Sequence, residues 1–160
     1  MFINLWLNFL EANNDNPRSK VIKFIILWML YNQWYNEKYI DIHGLYQDKA
    51  KSIELANNQH AKEIYASIQD KILSSFKNIL SVHCSTGERE RLWKDSGLEK
   101  EILFNEQHCD LKQFLKLIYQ IRCNFLHGNK EGNDVNIQLI TWAYDSLYKF
   151  LKDLNIGLNL

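Results

Sequence analysis

An arginine and a histidine lie five residues apart in the C-terminal half of this chain, at Arg122 and His127. The imidazole of a histidine can take up or release a proton near neutral pH, because its unperturbed pKa is about 6.5. The guanidinium of an arginine stays charged and can donate two parallel hydrogen bonds to a phosphate group. This pair could therefore transfer a proton beside a phosphate.

The surrounding residues predict that the pair lies at the end of a helix. Asp110 followed by Gln113 matches a capping box, which starts a helix. Gly128 fits the position just past a helix C-terminus, where a left-handed backbone is favoured. Apolar residues recur at helical spacing between these ends: Leu111, Phe114, Leu115, Ile118, Ile121, Phe125 and Leu126.

Arg122 falls near the middle of the apolar face of this helix. At about 100° per residue, Leu115 and Ile118 lie within roughly 40° of it, whereas Asn124 and His127 share a separate polar face. A guanidinium is almost never fully buried without a partner, so we expect an anionic group or a wet groove beside it. Purely structural roles are also open for both residues. The aliphatic part of Arg122 could cover apolar surface, and His127 could be a cation that stabilises the C-terminal end of the helix.

Residues 122–128 (Arg-Cys-Asn-Phe-Leu-His-Gly) resemble the Arg-x4-6-His motif of the HEPN domain superfamily. These are all-helical ribonuclease domains of toxin–antitoxin systems, abortive-infection proteins and CRISPR effectors. Asn129 and Lys130 extend the match to an Arg-x-Asn-(two apolar)-His-Gly-x-Lys form. The aromatic-rich run 27–36 is similar to an early helix of such domains, while Cys123 stands where many members have a polar residue.

The resemblance implies a metal-independent endoribonuclease, in which the 2′-hydroxyl of the RNA attacks the neighbouring phosphate. His127 would transfer the proton, and Arg122 would stabilise the developing charge on the phosphate. Asn124 would orient His127 or the substrate, and Lys130 would hold a flanking phosphate. The resemblance also implies a homodimer with a shared groove, acting as a toxin or phage-defence effector, and a possible antitoxin protein as partner.

Two alternatives remain open on the sequence. The first is a non-catalytic helical dimer that binds a ligand or a partner protein, with structural motif residues. The second is a nucleophilic cysteine, because Cys123 is beside Arg122 and within reach of His127. No oxyanion donors are evident for that reaction, so it is the weaker alternative.

Composition predicts one all-α domain, a HEPN-like helical bundle over residues 1–160. Hydrophobic residues make up 46% of the chain, and six glycines and one proline leave few helix breakers. The charges of the 19 basic and 19 acidic side chains cancel, so the formal net charge is zero. The chain therefore lacks the large excess of positive charge that is typical of a dedicated nucleic-acid-binding protein. An RNA contact would need a local patch. Arg89 and Arg91 are candidates, although most such charged runs are solvated faces.

The cysteines favour a reducing, cytoplasmic location without a disulfide framework. They are odd in number and no secretion signal is evident. The His-Cys dipeptides at 83–84 and 108–109 make poor chelates, so we expect no metal and no cofactor. The apolar run 21–31 is too short to cross a membrane.

Periodicity and turn residues predict where the helices lie. The segment 45–58 could be a loop or a short helix, and the charged run 88–94 is an amphipathic segment. The aromatic residues Trp28, Tyr31, Trp34 and Tyr35 are expected in the core rather than on a base-stacking platform. The predicted helices cover about 2–12, 17–39, 59–82, 98–104, 110–127 and 135–154.

Overall fold

α-Helices account for nearly all of the residues that the computed structural model describes, which are 17–40, 47–83, 109–126 and 134–158. No strand occurs within these ranges. A short 3₁₀ segment, Leu55–Asn57, joins the second helix to the third. The prediction of an all-α fold is confirmed for a single helical domain. The helices are α1 (Pro17–Lys38), α2 (Asp48–Glu54), α3 (Gln59–His83), α4 (Leu111–Leu126) and α5 (Asp134–Leu154).

Local chemistry explains where several of these helices begin and end. Pro17 is the first residue of α1, where its missing N–H costs nothing. The side chain of Asn58 accepts a hydrogen bond from the backbone N–H of Ala61 at 2.9 Å and so caps α3. At the other end of the chain, Asn155 adopts a φ of 52° directly after α5. Asparagine tolerates this left-handed conformation, which ends the helix.

The capping box predicted ahead of α4 is present. The backbone N–H of Gln113 donates to Oδ1 of Asp110 at 2.8 Å, and the backbone N–H of Asp110 donates to Oε1 of Gln113 at 2.9 Å. Two N–H groups that the helix cannot satisfy itself are thereby paired. The start of the helix that carries Arg122 is therefore fixed by its own sequence.

Helix α5 packs against α1 and α3, while α4 packs against α2, α5 and α3. Trp28, Tyr31 and Tyr35 are buried and Trp34 is half-buried, so the predicted core role of these aromatic residues is confirmed. Burial of such apolar surface is the main force that holds the helices together. The largest fully buried side chains are Tyr31, Tyr35, Phe24, Phe114, Phe150, Leu27, Leu115, Leu117 and Ile118.

Polar side chains at the edge of the core tie pairs of helices together. The indole Nε1 of Trp142 on α5 donates to the backbone oxygen of Ile72 on α3 at 3.1 Å. The hydroxyl of Tyr65 on α3 donates to the backbone oxygen of Cys109, just before α4, at 2.9 Å. Because these groups are buried, leaving one unpaired would cost free energy, and each bond therefore fixes the register of two elements.

The predicted helix bounds agree with the structure to within one residue for α1, α3 and the start of α5. The undecided segment 45–58 forms α2 and the 3₁₀ turn over its described part, 47–58. The predicted helices at 2–12 and 98–104 and the charged run 88–94 lie outside the described residues. None of the described helices combines the length and the hydropathy needed to cross a membrane. Cys109 and Cys123 are free thiols.

Candidate active site

Of the six predicted site residues, only Arg122 has a described side chain. It lies in the last two turns of α4 and is half-buried. The backbone of Asn124 continues the same helix, whereas its side chain is not described. The predicted residues that lie outside the described ranges are His127, Lys130, Arg89 and Arg91.

The guanidinium of Arg122 is held between two aromatic rings. Its Cζ atom lies 5.6 Å from the ring centroid of Trp28 and 5.7 Å from that of Tyr119. Both contacts are cation–π interactions, in which the negative face of the ring attracts the cation. Nη1 also approaches Sγ of Cys123 at 3.5 Å. The helical-wheel expectation that this arginine lies among apolar residues is therefore met by rings that attract its charge.

The Arg122 side chain retains hydrogen-bonding capacity. Its Nε atom is buried and has no hydrogen-bond partner among the described residues. A guanidinium carries five N–H donors, and its only hydrogen-bond acceptor among the described residues is the sulfur of Cys123. A phosphate group would satisfy such donors better than sulfur does, since charged oxygen is the stronger acceptor.

A second polar group lies where α1 meets α2; we call it the Asp48 cluster. The hydroxyl of Tyr35 donates to Oδ1 of Asp48 at 2.6 Å, and Nδ2 of Asn32 donates to the same oxygen at 2.9 Å. Nδ2 of Asn32 also donates to the Tyr35 hydroxyl oxygen. Nearby, Nζ of Lys51 donates to Oδ1 of Asn36 at 3.1 Å. These five residues make up the cluster and join the two helices.

Next to the cluster, one buried hydrogen bond joins α1 to α2 and a second lies within α2. The hydroxyl of Tyr31 donates to the backbone oxygen of Ser52 at 2.6 Å, and Ser52 Oγ donates to the backbone oxygen of Lys49 at 2.8 Å. Tyr31 and Ser52 are both buried. The position of the Asp48 carboxylate is therefore fixed in two ways. Side chains of α1 donate to it, and α2, which carries it, is itself bonded to α1.

The negative charge of Asp48, on α2, affects the pKa values of two groups on α4, Arg122 and Tyr119. Burial lowers the pKa of Arg122, but the hydrogen bond to Cys123 and the negative charges of Cys123 and Asp48 more than offset this, so the pKa is raised. Burial, together with Cys123 and Asp48, raises the pKa of Tyr119 to about 12. The pKa of Tyr35 is raised by burial and by the hydrogen bond to Asp48. The positive charge of Arg122 offsets a part of this rise. One electrostatic environment therefore spans α1, α2 and α4.

Sequence reasoning missed the Asp48 cluster. We expected an anionic group or a wet groove beside Arg122, but did not identify the carboxylate of Asp48 whose charge acts on it. A signal was available in α1, where Asn32 and Asn36 interrupt an apolar helix one turn apart. Polar residues at such a spacing share a helix face and indicate a polar contact across it.

A cavity with a volume of about 580 Å³ lies elsewhere, between α3 and α5. Its described lining residues include neither Arg122 nor any member of the Asp48 cluster. It is lined on one side by Ile68 and Ile72 and on the other by Thr141 and Trp142. Nothing in its lining connects it with the predicted chemistry, and we assign it no role in the candidate site.

Comparison of this chain with protein-family models, curated proteins and solved structures finds no match. No group of three side chains suited to hold a metal ion occurs in the described part of the chain. The candidate site is therefore interpreted from the geometry around Arg122 and from the motif that contains it.

Proposed function

We propose that this protein is a metal-independent endoribonuclease of the HEPN type, with a HEPN-like helical fold. One observation carries the proposal: five residues before His127, the guanidinium of Arg122 is half-buried, with a buried Nε that has no partner in the described part of the chain. A half-buried cation that is held by rings, and that makes no ion pair with a described carboxylate, suits a site where charge develops on a phosphate.

Each motif residue has a role in this reaction. The 2′-hydroxyl of the RNA attacks the adjacent phosphate, and His127 transfers the proton that this step releases or the leaving oxygen requires. Arg122 stabilises the charge on the phosphate oxygens. Asn124 orients His127 or the RNA, and Lys130 binds a flanking phosphate. The site needs no metal because charge stabilisation comes from the guanidinium.

RNA binding by a chain with a formal net charge of zero needs a local concentration of positive charge. A homodimer with the two motifs facing one groove supplies it, because each copy adds Arg122 and Lys130. Arg89 and Arg91 would extend that groove. Such an enzyme would act in the cytoplasm as a toxin or a phage-defence effector, with an antitoxin protein as a possible partner.

The test is cleavage of end-labelled RNA in the presence of EDTA, with wild type compared with His127→Ala and Arg122→Ala. We expect only the wild type to cut, leaving 2′,3′-cyclic phosphate ends. His60→Ala is the matched control, because His60 is an exposed histidine of α3. Cleavage that both motif variants retain at the wild-type rate would refute the enzyme assignment.

One observation favours a second function, a helical module that binds a ligand or a partner protein without catalysis. The cation–π contacts of Arg122 with Trp28 and Tyr119 would also suit a structural arginine. Such contacts contribute about 0.5–2 kcal/mol, depending on how far they are desolvated. In this case Arg122→Ala would lower the free energy of unfolding, and the wild type would not cut RNA with or without EDTA.

A further inference from the structure

The carboxylate of Asp48 is not neutralised by a direct ion pair with any described residue. Its Oδ1 atom receives both hydrogen bonds, from Tyr35 and from Asn32. No described lysine or arginine lies within 4.0 Å of either oxygen. Two neutral donors thus hold the carboxylate in place while its charge remains free to act on a cation farther away.

A continuous path of packed side chains leads from Asp48 to Arg122. Tyr35, which donates to Asp48, meets the ring of Trp28 edge-on, with 6.3 Å between centroids and 67° between planes. The same Trp28 ring carries the guanidinium of Arg122, 5.6 Å from its centroid. Helix α2 also packs directly against α4. The fixed negative charge and the motif arginine are therefore linked through two aromatic rings, those of Tyr35 and Trp28.

We propose that Asp48 is a positioning residue, which keeps the guanidinium of Arg122 in a single orientation against Trp28 and Tyr119. The part of this inference that concerns catalysis rests on the proposed function. Holding the guanidinium of a long arginine side chain in one orientation costs conformational entropy, because the side chain loses rotamer freedom. A fixed carboxylate, linked to Trp28 through Tyr35, favours one orientation of the guanidinium, so that Arg122 is ready for the phosphate before RNA binds.

The variant Asp48→Asn tests this inference, because an amide oxygen can still accept from Tyr35 and Asn32 while the charge is lost. We expect kcat for RNA cleavage to fall by about tenfold, with KM within about twofold of wild type. The thermal midpoint should fall by only a few degrees below that of Asp70→Asn, an exposed aspartate of α3 that serves as control, because the two bonds to residue 48 persist but no longer end on a charge. An unchanged kcat, or a change in KM alone, would overturn the catalytic part.

A measurement without RNA tests the positioning itself. The chain has four arginines, Arg18, Arg89, Arg91 and Arg122, so a proton–nitrogen correlation spectrum contains few Nε–H signals. The signal that Arg122→Lys removes belongs to Arg122. Since its Nε is buried, we expect slow exchange with solvent in wild type and exchange faster by about tenfold or more in Asp48→Asn.

The two experiments separate the two proposals. If the wild type does not cut RNA, the proposed function fails, and the exchange rate of the Arg122 Nε–H still decides whether Asp48 holds it. If that rate and the chemical shift are the same in Asp48→Asn and wild type, the positioning role is overturned even when RNA is cut. A changed exchange rate together with a lowered kcat supports the whole inference.

Discussion

The hydroxyl of Tyr35 offers the most direct test of how the site is held together. Tyr35 is fully buried on α1, and its hydroxyl donates to Oδ1 of Asp48 on α2 at 2.6 Å. Tyr35→Phe removes this oxygen and leaves the ring in place, so packing against Trp28 and Tyr31 is kept. The substitution therefore removes two hydrogen bonds, the one to Asp48 and the one from Asn32, and creates little empty volume.

The expected loss of stability follows from the type of bond. A hydrogen bond to a charged group contributes about 1.5–3 kcal/mol to the free energy of unfolding. Asn32 still donates to Asp48 after the substitution, so the carboxylate keeps one of its two bonds. Because the ring remains, no cavity penalty is added. We expect Tyr35→Phe to lower the free energy of unfolding by about 2 kcal/mol.

Urea unfolding measures this difference, with Tyr148→Phe as control. Tyr148 is a half-buried tyrosine of α5 whose hydroxyl has no hydrogen bond to a described residue in the structure, so its loss should change stability by less than about 0.5 kcal/mol. In an Asp48→Asn background, Tyr35→Phe should cost about 1 kcal/mol less, because the acceptor is no longer charged. Equal costs for Tyr35→Phe and Tyr148→Phe would refute the reasoning.

Three further predictions concern the fold that carries Arg122. Asp110→Ala removes the side-chain acceptor for the backbone N–H of Gln113, which is half of the capping box, and should cost about 1 kcal/mol by urea unfolding. Phe114→Ala empties a fully buried site and should cost about 3–5 kcal/mol in the same assay. Burial raises the pKa of Cys109 from 9.0 to about 12, so its neutral thiol stabilises the fold below pH 9 and this contribution is lost as the pH rises toward 12. The stability difference between wild type and Cys109→Ala should therefore narrow between about pH 8 and about pH 11.

The start of α4 could be predicted because the decisive interactions are local. Asp110 and Gln113 are three residues apart, and each side chain satisfies the backbone of the other. Pro17 likewise marks the start of α1 by its own fixed φ. These features need no knowledge of the rest of the chain, since the residues that interact are within one helical turn.

The Asp48 cluster could not be predicted in the same way, because its partners are distant in sequence. Asp48 lies 16 residues from Asn32 and 13 from Tyr35, and Arg122 is on a different helix again. The segment around Asp48 has no clear hydrophobic period, so even its helix was undecided. Which carboxylate faces an arginine depends on how α2 packs on α1 and α4, and no local pattern encodes that packing.

The position of Arg122 explains why the motif alone does not decide between enzyme and structural module. The aromatic rings that contact it, those of Trp28 and Tyr119, would stabilise a cation in an enzyme and in a structural module alike. A loss of stability in Arg122→Ala therefore cannot separate the two functions. What separates the two functions is the positioning role that we propose for Asp48, whose charge raises the pKa of Arg122 without a direct ion pair to the guanidinium. A structural arginine gains little from a preferred orientation, whereas an arginine that must meet a phosphate gains rate from it. A lowered kcat in Asp48→Asn, measured at a temperature where the variant is fully folded, is therefore the observation that distinguishes a catalytic arginine from a structural one.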